Sequence, residues 1–332
     1  MNILFLTLGD ERIASSRIRA WQFARELAAT GQEVNVAVGA DAKSVATLLR
    51  KKWDVCVIQK WIPPRWYMTL IRLRSDIVIY DCDDAIMLST SMHPPGSLEI
   101  AQRNRTRLLS VVGEFDGITV STGVLARDFH NISGGCPLLT FTGPAPAPVL
   151  PGDAKRNGML WLGSPATESY VWDLIERLPE SLKNEGLNVV GSKLQESPDP
   201  RIQLTPWTSE NQRHALADAA IGIFVQPEGE WESRKSGYKI LEYIAAGLIP
   251  VAQTTAASVE ILGRQYPYLV DENKSWDSII SAVSQLSKEE RKETVAGLQA
   301  RIDEFSYQNS VSRWLSFVKT VALSKSAPDN EV

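Results

Sequence analysis

"WESRKSGYKILEYIAAGLIPVA", residues 231 to 252, concentrates more chemistry than any other stretch of the chain. Arg234, Lys235 and Lys239 crowd the entry to a helical pattern, with Gly237 among them. A helix start offers unpaired backbone N–H groups and the positive end of the dipole, so basic residues there suit a phosphate. On a helical wheel with Lys235 at the origin, Lys239 falls at about 40° and Glu242 at about 340°. These three share one face, and Ile240, Leu241, Ile244 and Ala245 make the opposite, apolar one. Two cations for a diphosphate and a carboxylate one turn further on for ribose hydroxyls form an arrangement of nucleotide size. The plainer alternative is a surface helix carrying one Lys/Glu pair, worth a few tenths of a kcal/mol. Gly247 then ends the helix and "LIPVA" returns as a buried strand.

The same strand–helix alternation extends both ways from this stretch. In the first half "NILFLTL", "EVNVAV", "DVCVIQ", "DIVIYD" and "GITVST" read as strands. "SSRIRAWQFARELAATG", "AKSVATLLRKK", "RWYMTLIRLR" and "LEIAQRNRTRLLSVVGEF" carry helical periodicity between them. Such alternation implies a parallel sheet covered on both faces. "GPAPAPVLPG", 143 to 152, forbids helix or central strand and reads as a linker. The alternation then restarts with "GMLWLG", "LNVVG", "AIGIFVQ" and "LIPVAQ", and "SYQNSVSRWLSFVKTVALSK" closes the chain as a long amphipathic helix. The expected boundaries are 1–145 for a first Rossmann-like domain, 146–155 for the linker and 156–308 for a second such domain. A C-terminal helix is expected over 309–325 and a tail over 326–332. "TLGDERIASS" after the first strand lacks the glycine pattern of a dinucleotide site, and there is no P-loop.

Composition narrows the function. The 332 residues are 44% hydrophobic and 22% charged, with a net charge of -4, which argues against disorder and against a nucleic-acid partner. The apolar runs are short of the roughly 20 residues a membrane helix needs. "MNILFLTL" enters a strand at once without a basic leader, so a cytoplasmic protein is expected. Cys56, Cys82 and Cys136 lack paired metal-ligand spacing and read as reduced thiols. From Arg50 to Arg74 seven basic residues face the single acid Asp54, interleaved with Trp53, Trp61, Trp66 and Tyr67. That mixture suits an anionic membrane surface or a phosphorylated acceptor, and a solvated helix face with half-buried tryptophans is the plainer alternative.

"IVIYDCDDAIM", 77 to 87, is an apolar run that stops on acid. Asp81, Asp83 and Asp84 there admit three readings: a divalent-metal site of Asp-x-Asp type, an acid/base or hydroxyl-binding site, or a polar strand end. In the first helix Ser15 or Ser16 suits an N-cap, while Arg17 and Arg19 oppose the dipole and so point to an anion partner. His93 follows the acids in a loop and is placed on the acceptor side or simply in solvent.

"KSGYKILEYIAAGLIPVA" resembles the donor-site signature of retaining glycosyltransferases of the GT-B fold, family-4-like (group 1). The opening "MNILFLTLGD…SSRIRAWQFARELAATGQEVNV", "WLGSPATESY" at 161–170 and the C-terminal helix fit the same group, so the resemblance spans essentially the whole chain. It implies an α/β fold with two Rossmann-like domains facing a cleft and a C-terminal helix packing back toward the first. The implied activity is metal-independent transfer of a hexosyl or deoxyhexosyl group, with retention, from a nucleotide diphosphate sugar to a glycan or lipid-linked acceptor. Cell-surface polysaccharide or glycoconjugate synthesis is the implied setting, with no cofactor and a cytoplasmic location on the inner face of the membrane.

By that resemblance Glu242 holds the nucleotide ribose. The partner acid eight residues earlier is replaced by Arg234. The diphosphate then falls to Arg234, Lys235 and Lys239, helped by Gly163, Ser164 and Thr167 after the first strand of the second domain. Asp83, Asp84 and Arg234 are the expected catalytic groups; Ser16, Arg17, Arg19 and His93 line the acceptor side. A catalytically silent GT-B protein that binds a nucleotide sugar or glycan as an assembly subunit is the alternative.

Overall fold

A computed structural model describes residues 1–89, 96–149 and 156–326. His93, most of the proline-rich linker and residues 327–332 lie outside them. The chain divides into two compact units. One comprises Met1–Pro144, Arg234–Ser236 and Phe305–Val332; the other comprises Ala145–Ser233 and Gly237–Glu304.

The first unit is built on a six-stranded parallel sheet: β1 (Asn2–Thr7), β2 (Glu33–Val38), β3 (Trp53–Gln59), β4 (Ser75–Cys82), β5 (Gly117–Val120) and β6 (Leu138–Thr140). The spatial order is β2-β1-β3-β4-β5-β6. Period-2 alternation sends Ile3, Phe5, Val55, Val57, Ile77 and Ile79 to one face, where they meet Phe23, Leu27 and the closing helix Tyr307–Ser326. That helix inserts Val311, Trp314, Phe317, Val318 and Val321, spaced so that they fall on one side. Trp314 stacks on Phe5 and meets Phe23 edge-on, centroids 6.3 and 5.9 Å apart. A Cβ on Gly117 would lie 2.7 Å from Val321 and 3.0 Å from Phe317, so this approach of helix to sheet requires glycine.

The expected first helix forms, but not as a regular α-helix. Ala14–Ser16 and Phe23–Ala29 are α-helical, and Arg17–Gln22 between them is wound as a π-helix. Ser16 is not the N-cap; Ile13 holds that position and makes no side-chain cap.

The second unit carries β7 (Met159–Leu162), β8 (Leu187–Val190), β9 (Ile202–Thr205), β10 (Ile221–Phe224), β11 (Ile249–Gln253) and β12 (Leu269–Val270) in the order β12-β11-β10-β7-β8-β9, again all parallel. One face of this sheet packs on Val171, Leu174, Ile279, Ile280 and Val283. On the other, Tyr243 of the helix Tyr238–Ala245 lies over Gly222, where an added Cβ would sit 2.3 Å from its ring. Each sheet reverses strand order once, between β1 and β3 and between β7 and β10. The carboxyl ends beside such a reversal are where open parallel sheets bind ligands.

Candidate functional sites

In the second unit the reversal point is flanked by the turn after β7 and the loop after β10. Gly163 leaves β7 with its N–H on Val190 O at 3.1 Å, and its Cα faces the Trp161 ring too closely to carry a Cβ. Ser164 is exposed, and Thr167 N donates to Ser164 O at 2.9 Å, closing the turn into the helix Glu168–Ile175. These three residues form a tight turn at a helix N-terminus, whose first amides point toward the carboxyl edge of the sheet. Glu168 occupies the first turn of that helix but is drawn away to Ser192 Oγ (2.7 Å) and Lys193 N (2.9 Å). Its burial opposes ionisation, yet those hydrogen bonds prevail and hold the carboxyl below its usual value.

Lys239 and Glu242 come together as the sequence implies, within Tyr238–Ala245. Lys239 Nζ lies 3.0 Å from Glu242 Oε2, and Gln212 Nε2 donates to Glu242 Oε1 at 2.7 Å. Glu242 is only 7% exposed, so it belongs to a partly buried network and not to an open polar face. An ammonium has three donors, and Glu242 engages one of those on Lys239. The helix is fixed by Tyr243, whose hydroxyl donates to Ile223 O at 3.1 Å and accepts from Leu162 N at 2.9 Å. One buried phenol thus ties Lys239 and Glu242 to the ends of both β7 and β10.

Two expectations are corrected at this helix. Gly237 is its N-cap and Tyr238 its first residue, so Lys235 lies before it and the wheel does not reach that far. The preceding Glu232–Arg234 forms a separate 3-10 turn. Arg234 and Lys235 group with the first unit, where the Arg234 guanidinium pairs with Asp128, its NH2 at 3.0 Å. Arg234 is therefore engaged by a carboxylate of the first unit. The loop supplies an acid the sequence reading missed: Glu232, 1% exposed, accepts from Tyr170 OH at 3.2 Å, and its Oε2 has no hydrogen bond.

The first unit gathers charge at the carboxyl ends of β3 and β4. Arg19, on the π-helical segment, donates to both oxygens of Asp81 at 2.8 and 2.5 Å and to Phe141 O. Its side chain is 2% exposed. Asp81 Oδ1 also accepts from Thr119 Oγ1 at 2.5 Å. Arg19 is thus internal and does not serve an external anion, which corrects its acceptor-side placement. Its opposition to the helix dipole is resolved by a buried carboxylate.

Asp81 is equally engaged, both of its oxygens accepting hydrogen bonds. Among the described residues no group of three or more His, Cys, Asp or Glu is arranged to hold a metal ion. Ser16 is also internal, donating to Gln59 Oε1 at 2.9 Å and accepting from Gly9 N at 3.2 Å. Arg17 is half-buried and donates to Glu11 O at 3.1 Å. Asp83 and Asp84 share Lys60, whose Nζ lies 3.2 Å from Asp83 Oδ1 and 2.6 Å from Asp84 Oδ2. Lys60 was not singled out by sequence, because its role depends on β3 and β4 lying side by side.

The basic–aromatic stretch is partly neutralised. Lys51 pairs with Glu33, Lys52 with Asp76, Lys60 with Asp83 and Asp84, and Arg72 with Asp116. Trp53 and Tyr67 are core, whereas Trp66 and Leu73 on the helix Arg65–Arg74 are 60% and 70% exposed. Among the described residues no helix is long and apolar enough to cross a membrane.

No family model and no curated protein matches this sequence. Solved structures do. An α-glucosyltransferase in complex with UDP matches with TM-score 0.68 at 12% identity, over 96% of this chain and 100% of that one. Sucrose-phosphate synthase from Thermosynechococcus elongatus matches with TM-score 0.68 at 12% identity, over 98% and 100%. The pneumococcal O-GlcNAc transferase GtfA, in complex with UDP and GlcNAc, matches with TM-score 0.60 at 16% identity; the alignment covers 86% of this chain and 60% of GtfA. With its two parallel six-stranded sheets and returning C-terminal helix, the chain has the GT-B fold.

Proposed function

We propose that the protein is a glycosyltransferase that moves a hexosyl or deoxyhexosyl group from a nucleotide diphosphate sugar to a glycan or lipid-linked acceptor. The carrying observation is the second-unit cluster: Lys239 and Glu242 held by Gln212 and Tyr243 beside the open turn Gly163–Thr167. Lys239 and the amides of that turn receive the diphosphate, Glu242 the ribose hydroxyls. The neighbours' UDP supports a uridine nucleotide as the first donor to try. Transfer with retention in cell-surface glycoconjugate synthesis is the reading that accompanies this donor site. The exposed Trp66 and Leu73, with Arg65 and Arg74 on the same helix, support work beside an anionic bilayer.

The first test is thermal stabilisation by UDP, GDP, dTDP and ADP, since a ligand that binds only the folded state raises its melting temperature by mass action. One diphosphate should stabilise the protein well above the others. No stabilisation by any of them, together with no binding by calorimetry, would defeat the donor-site reading. A second reading, a silent nucleotide-sugar binder, draws on Arg234 standing paired to Asp128 where the resemblance calls for an acid. Donor binding without turnover across an acceptor panel would favour it.

A further inference from the structure

The helix Ser209–Asp218 packs over β7 and β8, on the sheet face that also carries Tyr238–Ala245. Asn188 of β8 pairs with Leu160, and Leu160 pairs with Gly222, which lies under Tyr243, so Asn188 is on that face. On β9, Ile202 and Leu204 turn to the opposite face and join its core, which leaves Gln203 and Thr205 beside Asn188. A helix seated on such a sheet ordinarily presents it with an apolar stripe. Here the stripe at i, i+3, i+4 and i+7 is Asn211, His214, Ala215 and Asp218, in which Ala215 alone is apolar and buried.

Helix and sheet leave a cavity of about 400 Å³ between them, lined by that stripe and by Asn188, Gln203 and Thr205. Its volume lies within the roughly 300–1,000 Å³ of ligand sites and is many times the roughly 30 Å³ share of one water. All of these residues belong to the second unit. Gln212, next to Asn211, donates to Glu242 Oε1 at 2.7 Å, so one helix serves the donor cluster on one flank and this cavity on the other.

The charges around the cavity disfavour an anion. Glu185 and Asp218 bring two carboxyls to it, and the Arg201 guanidinium is held by Asp199, with Nε at 2.8 Å. The neutral groups favour hydroxyls. Asn188 Oδ1 accepts from Thr205 Oγ1 at 2.8 Å, which leaves the two N–H donors of Asn188 and the lone pairs of the threonine oxygen for a ligand. Asn211 Nδ2 donates to Pro206 O at 2.9 Å and leaves its Oδ1 as an acceptor, and Gln203 adds an exposed amide. A hydroxyl both donates and accepts, so a wall that offers both roles side by side matches a polyhydroxyl chain.

We infer that this cavity is a saccharide-binding site separate from the donor cluster, taking a neutral oligosaccharide through Asn188, Gln203, Thr205 and Asn211. That the polyhydroxyl ligand is a saccharide rests on the glycosyltransferase reading; its neutrality and its hydroxyls follow from the cavity itself.

The test is side-chain amide NMR on the ¹⁵N-labelled full chain. The Asn188 and Gln203 amide resonances are identified by their loss in Asn188→Leu and Gln203→Leu. The probes are neutral trisaccharides of glucose, mannose, galactose, rhamnose and N-acetylglucosamine, with inorganic phosphate as a separate addition. At least one trisaccharide should shift both resonances saturably, and should do so equally in Lys239→Ala. Gln203→Leu should weaken that saccharide about two- to tenfold, and the double variant with Asn188→Leu about tenfold or more. Gln203 is exposed, so its variant keeps the fold even where Asn188→Leu does not. Shifts by none of the trisaccharides, shifts by phosphate in their place, or an affinity unchanged in Gln203→Leu and in the double variant would overturn the site. The two readings fail separately. Saccharide shifts without stabilisation by any nucleoside diphosphate keep this site and sink the donor site; diphosphate stabilisation without saccharide shifts does the reverse.

Discussion

Arg19 and Asp81 illustrate how a charge can look functional in sequence and prove internal. Each side chain is at most 5% exposed, and each leaves the other uncompensated if removed. Breaking a buried pair of this kind costs about 3–5 kcal/mol. Asp81→Asn should therefore lower the free energy of unfolding of the first unit, measured by urea titration, by an amount in that range; a change below about 1 kcal/mol would show the guanidinium finds another partner. Asp81 is already held by Arg19 and Thr119, which leaves its oxygens occupied by other donors. Transfer should survive exhaustive EDTA treatment to within a few-fold, and full loss restored by stoichiometric Mn²⁺ or Mg²⁺ would reverse that view. At Lys239 the prediction is one of selectivity. Lys239→Ala should weaken nucleoside diphosphate binding about tenfold or more and bare nucleoside little, since only the former carries the charge. Equal losses would remove Lys239 from the phosphate site. Lys239 and Glu242 were legible because they lie one helical turn apart. Gln212, Lys60 and Glu232 were not, since their partners come from distant segments that only the fold brings near.

The helix Tyr238–Ala245 shows what periodicity can and cannot locate. Its apolar face and its end at Gly247 follow from residue spacing, and both are found. Its start does not, because Glu232–Arg234 and Lys235 continue the polar pattern while Gly237 breaks the backbone. The first helix departs in another way: a π-helical segment carries Arg19, and no propensity in "RIRAWQ" announces it. The register of Tyr238–Ala245 depends on Tyr243, whose hydroxyl serves Leu162 N and Ile223 O. Tyr243→Phe leaves that buried N–H unsatisfied and should cost about 1–3 kcal/mol of stability. It should also weaken diphosphate binding, because residue 243 lies one turn on from Lys239 on the same side of the helix. Unchanged affinity in a stable Tyr243→Phe protein would show that the helix holds its register by apolar packing alone.

At the scale of the whole chain, alternation of strand and helix gave both sheets, but it could not reveal that the first unit is discontinuous. Its six strands come from the N-terminal part of the chain, while one face of its core is completed by Tyr307–Ser326. Truncation after Glu304 removes Val311, Trp314, Phe317, Val318 and Val321 together, exposing Ile3, Phe5, Val55, Val57, Ile77 and Ile79. Trp314→Ala alone should cost about 3–5 kcal/mol, since it deletes a buried indole that touches Phe5 and Phe23. Losing all five is of a different order, because an apolar sheet face open to water is an aggregation site as well as a lost core. The second unit has its own core, from Trp161 and Val189 to Ile280 and Val283. The truncated chain should therefore show one calorimetric transition where the full chain shows the melting of both units, with the surviving enthalpy that of the second unit. If Lys239, Glu242 and the Gly163–Thr167 turn hold the nucleotide, that remaining transition should still rise in temperature when nucleoside diphosphate is added. A surviving second unit that no longer responds to the ligand would mean the nucleotide needs residues of the first unit, Arg234 and Lys235 foremost among them.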